Sequence, residues 1–347
     1  MEENITQLVV ANDIVQYWIE KNVNRVPPVG EILFPATKEI GIKLEYLKGA
    51  KNRVVGLKLS AFDSKAIRRD REGFEIVETK MPFFKESMVV DEEMRQSLNL
   101  IKQTNNRAMI DQILIRIFDD QIKLIQAAYN ALEQMRMQLI TTGQIVLASN
   151  GQAYTYDYGM PESNKLEVDK SWSDPTADII TFINEKVKKP AKANGYNITR
   201  AMCNSKVANY LAQNTAIKNA IYVLGQGLVT PTTARAISYI YEQTGVIIEV
   251  NDDVYVTEDN KVHNYFPDDV MSFFPEGELG KTHFGVTPEE SDLMTASIAN
   301  VSLVDNAIAV TTSKLVDPVN VETKVSMIAM PSFEMADAVY IVDVIKG

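Results

Sequence analysis

The amino-acid sequence predicts an α+β fold, and three features indicate it. Residues 31–90 alternate apolar and polar side chains in two arms, as paired strands do. Residues 105–141 contain no glycine or proline and repeat apolar side chains at helical spacing. From residue 174 onward, short helix-like and strand-like segments alternate. We therefore expect a long hairpin, one very long helix and a separate α/β lobe.

Composition limits the possible function classes. The chain has 347 residues, 46% of them hydrophobic, which predicts a folded protein of two or three lobes. A formal charge of −11 argues against a protein whose main function is to bind nucleic acid electrostatically, because such binding needs basic residues that displace the counterions of the phosphates. An acidic wall could still enclose nucleic acid, because it would keep phosphate from sticking. Cys203 is the single cysteine, which excludes an intrachain disulfide and fits a reducing compartment.

The N-terminal segment predicts a short amphipathic arm. In residues 5–20, apolar side chains such as Val9, Val15 and Ile19 fall near helical spacing, and Pro27-Pro28 then breaks the pattern. So short a helix buries little by itself, so we expect it to act as an arm. The acidic residues at the start predict no signal peptide, and no apolar run is long enough to predict a membrane span.

Residues 31–90 predict a hairpin whose tip is densely charged. The tip contains Arg68, Arg69, Asp70, Arg71 and Glu72. A hairpin of this length is not stable alone in water, so it should lie on its own chain or on another subunit. Two interpretations of the tip stay open: a solvated surface, or charges that meet complementary charges on a neighbour and set the register of the contact.

The strongest pattern predicts a helix over 105–141. Its apolar residues step by four and three, with Gln121 as the one polar interruption, and Gly143 is a natural stop. Such a helix would be on the order of 50 Å long. After it, residues 144–158 predict a hairpin that turns at 150–151, because Asn-Gly favours tight turns.

A second lobe is predicted to begin near residue 174. Trp172 precedes Asp174, a good N-cap, and Pro175, which suits the first helical position; Asp178 would then lie in the first turn. The patterns predict helices at 175–194, 204–212 and 231–243. They predict strands at 197–203, 246–250, 253–257 and 270–275, and strand and turn structure over 291–347.

Residues suited to catalysis are scarce. His263 and His283 are the only histidines, and no pattern supplies the further ligands of a zinc site or a Ser–His–Asp arrangement. The glycines at 225 and 227 lack the rest of a phosphate loop, and Cys203 follows an apolar pair as a buried, inert thiol would. Acidic clusters near 252, 258 and 268 fit solvated turns better than a calcium loop. We predict no catalytic residue, no cofactor and no metal.

The order of these elements resembles the Hong Kong 97-type capsid fold of tailed phages, and several segments are similar to the lambda-type major capsid protein E family. The similar segments, in chain order, are LFPATKEIGIKLEYLKG at 33–49, the Trp–Ser and Asp-Pro-Thr-x-Asp-Ile pattern within 171–182, HNYFPDDVM at 263–271, and Met330-Pro331 with the strands after Phe333. The resemblance spans nearly the whole chain, and residues 213–235 depart from it.

The resemblance implies a domain organisation. The implied domains are an N-terminal arm (1–38), an E-loop with flanking strands (39–90), a P-domain with the spine helix (91–173), an A-domain (174–290) and return strands of the P-domain (291–347). It also implies a major capsid protein that performs no chemistry, forms pentamers and hexamers of itself, and builds an icosahedral head around double-stranded DNA without reading its sequence.

The resemblance further implies partners and site residues. The partners would be a separate scaffolding protein, a portal and a possible decoration protein, with no membrane; the protein would assemble in the host cytoplasm and reside in the virion. The E-loop tip (Arg68, Arg69, Asp70, Arg71, Glu72) and the N-arm (Val9, Val15, Trp18, Ile19) would contact neighbouring subunits. Trp172, Asp174 and Pro175 would form the hinge between P-domain and A-domain.

Two alternatives remain at this point. An encapsulin-like nanocompartment would share the fold but hold protein cargo. A soluble α/β enzyme with an inserted hairpin would need a titratable pocket, against which the scarcity of histidine and cysteine argues.

Overall fold

The structure is a computed structural model that describes residues 9–48, 75–90, 92–103, 107–149, 152–222, 230–257, 260–294, 299–316 and 319–345. The chain divides into two compact units. Unit 1 comprises Met1–Glu45, Glu78–Glu133 and Lys281–Ser332, and unit 2 comprises Tyr46–Val77, Gln134–Gly280 and Phe333–Gly347.

The α-helices of the described residues are α1 (Ala11–Lys21), α2 (Val29–Leu33), α3 (Glu92–Gln103), α4 (Arg107–Thr142), α5 (Ile179–Phe182), α6 (Lys189–Ala193), α7 (Ser205–Gln213), α8 (Thr215–Ile221) and α9 (Thr233–Thr244). The strands are β1 (Ala36–Lys38), β2 (Lys43–Lys48), β3 (Glu75–Lys80), β4 (Phe83–Val89), β5 (Gln144–Ser149), β6 (Gln152–Asp157), β7 (Lys165–Glu167), β8 (Ile198–Cys203), β9 (Ile247–Val250), β10 (Val254–Val256), β11 (Val262–Asn264), β12 (Val270–Pro275), β13 (Thr282–Phe284), β14 (Ala299–Val304), β15 (Ile308–Val316), β16 (Val319–Pro331) and β17 (Tyr340–Asp343).

Unit 1 contains a six-stranded sheet centred on β16. Its order is β1-β13-β16-β15-β14, and β4 also pairs with β16. Asp305 and Asn306 form the tight turn between β14 and β15, with φ values of 50° and 60° that a type I′ turn requires. Val310 of β15 lies opposite Val325 of β16, and both side chains are buried. The strands predicted after residue 291 are therefore confirmed.

The long predicted helix is confirmed as α4. Its 36 residues give a length of about 54 Å. It ends at Gly143, whose φ of 75° is a left-handed conformation that glycine adopts at little cost. Leu124, Leu132 and Leu139 of its periodic apolar face are buried.

Unit 2 contains a five-stranded sheet of order β7-β17-β12-β8-β9. β12 runs antiparallel to β17 and β8, whereas β8 with β9 and β17 with β7 are parallel pairs. Apolar side chains of the helices, including Ile183, Leu211 and Ile240, share one core with Phe273 of β12. The strands predicted at 197–203, 246–250, 253–257 and 270–275 are confirmed as β8, β9, β10 and β12.

The predicted start of the first helix in unit 2 is wrong. The helical run begins at Ile179, continues through a π-helical turn at Ile183–Lys188 and ends with α6. Its N-cap is Asp178, whose side chain accepts a hydrogen bond from the Thr181 N–H at 3.2 Å. Asp174 instead closes a turn by accepting from the Thr176 N–H at 2.8 Å, and Pro175 lies in that turn.

Two predicted domain boundaries also differ from the observed units. β13 falls within the predicted A-domain at 174–290, but it pairs with β1 and β16 in unit 1. β17 falls within the predicted return strands at 291–347, but it pairs with β12 and β7 in unit 2. Chain order alone could not show this, because the partner strands lie far away in sequence.

Two-stranded ribbons are formed by β2 with β3, β5 with β6 and β10 with β11. β2 and β3 form the described ends of the predicted long hairpin. β5 and β6 confirm the hairpin predicted at 144–158, while its turn at 150–151 lies outside the described residues. Within the described ranges, no helix combines the length and apolar character needed to cross a membrane.

Candidate functional site

The first helix is docked on its own chain. Val9, Val15 and Trp18 expose only 1%, 5% and 6% of their surface. The Trp18 ring stacks on the Tyr129 ring of α4, with 5.6 Å between centroids and 11° between planes. These apolar contacts make α1 part of the core of unit 1.

Polar contacts fix the same helix at both ends. The Ala11 N–H donates to Oγ1 of Thr312 in β15 at 3.2 Å. The Tyr17 hydroxyl donates to Oδ1 of Asp119 in α4 at 2.7 Å, and this bond lowers the pKa of Asp119. The position of α1 is thus set by the sheet and by the long helix together.

Tyr129 joins α1, the segment after it and the β14–β15 turn. The Arg25 guanidinium lies 4.4 Å from the Tyr129 ring centre, and its Nη2 is 2.8 Å from Oε2 of Glu31. The Tyr129 hydroxyl donates to Asp305. Burial, followed by this bond to a carboxylate, raises the pKa of Tyr129, so the phenol stays protonated.

Val9, Val15 and Trp18 are covered by their own chain in the structure, and their predicted contact with a neighbouring subunit stays a prediction. Ile19 is 49% exposed and keeps its predicted role as a proposal. Other exposed large apolar side chains follow it in the same segment, namely Val23, Val26, Ile32 and Ile40. The charged tip (Arg68, Arg69, Asp70, Arg71 and Glu72) lies outside the described residues.

Trp172 lies inside unit 2. It exposes 2% of its surface and meets Phe182 edge to face with 5.9 Å between ring centroids. Its backbone N–H donates to the Val344 carbonyl at 2.9 Å. Trp172 and Phe182 belong to one buried cluster of unit 2, and the predicted role of Trp172 at a hinge between P-domain and A-domain stays a prediction. Asp174 and Pro175 belong to the turn before α5; backbone and side-chain bonds from Thr176 lower the pKa of Asp174 to about 2.

The structure brings together three residues that sequence analysis did not connect. His283 Nδ1 lies 3.0 Å from Oε1 of Glu39, and His283 Nε2 lies 3.2 Å from Oγ of Ser332. The order serine, histidine, carboxylate is that of a hydrolytic triad. Spacing along the chain contains no sign of it, because 244 residues separate Glu39 from His283 and 49 separate His283 from Ser332.

The environment of this trio argues for a structural role. Ser332 is fully buried, and its hydroxyl also accepts from the Lys281 N–H at 2.9 Å and lies 3.2 Å from the Lys281 carbonyl. A serine nucleophile must reach a substrate carbonyl, and a hydroxyl enclosed in this way cannot. The network instead links β13 to the segment after β1 and to the end of β16.

Other candidate groups are also accounted for. Cys203 is fully buried, and burial raises the pKa of its thiol to about 12, as expected of an inert thiol. His263 is exposed on β11 and stacks on Tyr255 at 5.5 Å. Asp268 accepts a hydrogen bond from the Asn204 amide at 2.7 Å. Among the described residues there is no group of three or more potential metal ligands.

The mixed sheets, the long helix and the paired hairpin are those of the Hong Kong 97-type capsid fold. Residues 13–344 match the family model described as phage major capsid protein E, and the chain belongs to this family. It is a tailed-phage major capsid protein, a structural subunit of the icosahedral capsid.

Solved structures support the fold. A capsid protein assigned to a prophage of Escherichia coli CFT073 is 15% identical, with a TM-score of 0.61 over 96% of this chain and 99% of that chain. A phage-related protein of Bordetella bronchiseptica RB50 is 13% identical, with a TM-score of 0.53 over 97% of each chain. The capsid of cyanophage A-1(L) is 8% identical, with a TM-score of 0.50 over 92% of each chain. No curated protein matches this chain in sequence.

Proposed function

We propose that this protein assembles through pentamers and hexamers into a closed head that encloses double-stranded DNA, and that it performs no chemistry. The family match over residues 13–344 carries this proposal. The formal charge of −11 supports the proposal. An acidic inner surface repels DNA phosphates, so the shell would hold DNA by enclosing it and would not retain it by binding its phosphates. A separate scaffolding protein, a portal and a possible decoration protein would be its partners, with assembly in the host cytoplasm.

Two surfaces are proposed for contact between subunits. Ile19 would pack against a neighbour, since it is half exposed on α1 while the other large apolar side chains of that helix are buried. Arg68, Arg69 and Arg71 of the E-loop tip would meet acidic side chains of the next subunit. Charge pairs of this kind set register and partner choice more than affinity.

Electron microscopy tests the proposal. The chain is expressed alone and with its genomic neighbours, and each preparation is viewed in negative stain. We expect closed shells or five- and six-fold rings in at least one of them. A monodisperse monomer in both would overturn the proposal. Nuclease-protected DNA in the particles would separate a phage head from an encapsulin-like compartment with protein cargo.

The E-loop claim has its own test. The triple change R68E/R69E/R71E should block assembly and leave the circular dichroism spectrum of the subunit unchanged. Normal shells from this variant would show that the E-loop tip does not contribute to the contact between subunits. The rest of the proposal would be unaffected.

A further inference from the structure

Few backbone contacts hold β1 at the edge of the unit 1 sheet. It has three residues, and among the described strands it pairs with β13 alone. The Thr282 N–H donates to the Pro35 carbonyl at 2.8 Å, and the Glu39 N–H donates to the Phe284 carbonyl at 2.7 Å. Because so short an edge strand opens at little cost, side-chain contacts should decide how firmly β1 is held.

His283 supplies the central side-chain contact to this edge. It is buried, with Nδ1 3.0 Å from Oε1 of Glu39 and Nε2 3.2 Å from Oγ of Ser332. A neutral imidazole ring carries one N–H, and a protonated ring carries two. A carboxylate only accepts, so the neutral ring donates from Nδ1 to Glu39 and accepts at Nε2 from the Ser332 hydroxyl.

The Ser332 hydroxyl can serve the ring in both protonation states. Its single proton has two acceptors within reach, His283 Nε2 and the Lys281 carbonyl, each 3.2 Å from Oγ. When the ring gains a second proton, Nε2–H can donate to Oγ, and the hydroxyl proton turns to the Lys281 carbonyl. The ring keeps a hydrogen bond at both nitrogens, so the cost of a buried polar group without a partner does not arise.

The charges around the ring favour the second proton. Burial opposes a charge on the ring, whereas a carboxylate in contact with Nδ1 stabilises it. The Glu39 side chain is 42% exposed, so water still solvates its negative charge. Charged groups of the neighbouring elements are paired or exposed: Lys38 of β1 pairs with Glu290 at 2.7 Å, Lys324 of β16 pairs with Glu289 at 2.7 Å, and the Lys281 side chain is exposed.

We propose that His283 is a proton-operated latch on β1. Uptake of one proton from solvent reverses the Ser332 hydroxyl, converts the hydrogen bond between His283 and Glu39 into an ion pair, and so fastens β1 to β13. Histidine ordinarily changes charge between about pH 5 and 8, so the latch tightens as the pH falls through that range and loosens as it rises. All of these groups belong to unit 1 of one subunit, so the latch does not depend on the proposed assembly.

Nuclear magnetic resonance of the unassembled subunit tests the latch. The chain has two histidines, so in H263Q the ring signals report on His283 alone. The Glu39 N–H bonds to β13, and its hydrogen-exchange protection, corrected for the intrinsic pH dependence, reports how firmly β1 is held. We expect protonation of His283 to raise this protection about threefold, as a partly exposed ion pair would. Unchanged protection across the titration would overturn the proposal.

Variants in the same background separate the two bonds of the ring. S332A leaves Nε2–H of the charged ring without its acceptor, and bonds to charged groups are the stronger ones, so proton binding to His283 should weaken by about tenfold. E39Q keeps an acceptor for Nδ1 without the charge and should abolish the gain in protection. S272A is the matched control, because Ser272 is a fully buried serine of unit 2 whose hydroxyl donates to the Ile140 carbonyl at 2.7 Å. It should leave the titration of His283 unchanged.

Three outcomes with these variants would overturn the proposal. If S332A titrated like S272A, the Ser332 hydroxyl would have no part in holding the proton. If E39Q gained as much protection as its parent on protonation, the ion pair would not fasten β1. If the His283 ring stayed neutral down to pH 5 in the folded subunit, the latch would not operate near neutral pH. E39Q changes a partly exposed side chain, so the test remains decisive even if S332A does not fold.

Discussion

Replacing Trp18 by alanine tests whether α1 is docked on its own chain. Trp18 exposes only 6% of its surface and stacks on Tyr129 at 5.6 Å, so truncation removes a nearly complete buried indole and leaves a cavity. Tryptophan-to-alanine changes in cores cost about 3–5 kcal/mol. We expect a loss of that size in the free energy of unfolding of the unassembled subunit, measured by urea unfolding followed by far-ultraviolet circular dichroism.

The adjacent residue provides the control. Ile19 is 49% exposed, so I19A should cost the isolated subunit no more than about 1 kcal/mol. In W18A, Trp172 is the one remaining tryptophan, so the fluorescence of that variant reports separately on unit 2. If α1 were docked on a neighbouring subunit instead, W18A and I19A would both leave the unfolding midpoint of the isolated subunit unchanged and would impair only assembly. That result would refute the reasoning.

Three further predictions concern the interior. In G285A the new Cβ would lie 2.4 Å from the Gly41 carbonyl oxygen, a backbone atom that cannot rotate away, so we expect a loss of about 1–3 kcal/mol; an unchanged melting temperature would contradict this. K324M leaves the buried Glu289 carboxylate without the ammonium group 2.7 Å away and should cost about 3–5 kcal/mol at neutral pH. Burial raises the pKa of Glu289, but the bond from Lys324 and further hydrogen bonds outweigh it and hold the pKa below the ordinary 4.5. The stabilisation is therefore present above pH 4.5 and is lost as the pH falls below it. Urea unfolding should show that the stability deficit of K324M shrinks below pH 4.5, and a constant deficit would contradict the prediction. Cys203 should resist a thiol reagent at pH 8 in the native subunit and react in urea, and fast native labelling would contradict its raised pKa.

Local patterns predicted the elements whose stability is local. The long helix α4 follows from an apolar repeat without glycine or proline, and β12 was predicted at the residues it occupies. The cap of α5 was predicted wrongly because Asp174 and Asp178 both satisfy the capping rule. A contact far along the chain distinguishes them: the Thr215 N–H donates to the Pro175 carbonyl at 2.7 Å and so holds Pro175 in a turn.

The candidate surfaces were less predictable, for a physical reason. An amphipathic pattern shows which side of α1 is buried, but Trp18 could be covered by Tyr129 or by another subunit with the same sequence. Likewise, Glu39 and His283 meet only because β1 and β13 pair in the sheet. Which surfaces meet depends on the folded chain, so local sequence patterns cannot predict these contacts.

A self-assembling subunit must also limit the contacts it can make, and the strand edges show how. Both backbone groups of Val146 on β5 are occupied by the Gln138 side chain, which accepts from the Val146 N–H at 2.8 Å and donates to its carbonyl at 3.2 Å. β4 pairs with β16 alone among the described strands, and it carries the exposed charges Lys85 and Glu86. Such features discourage edge-to-edge pairing, which would extend without closure.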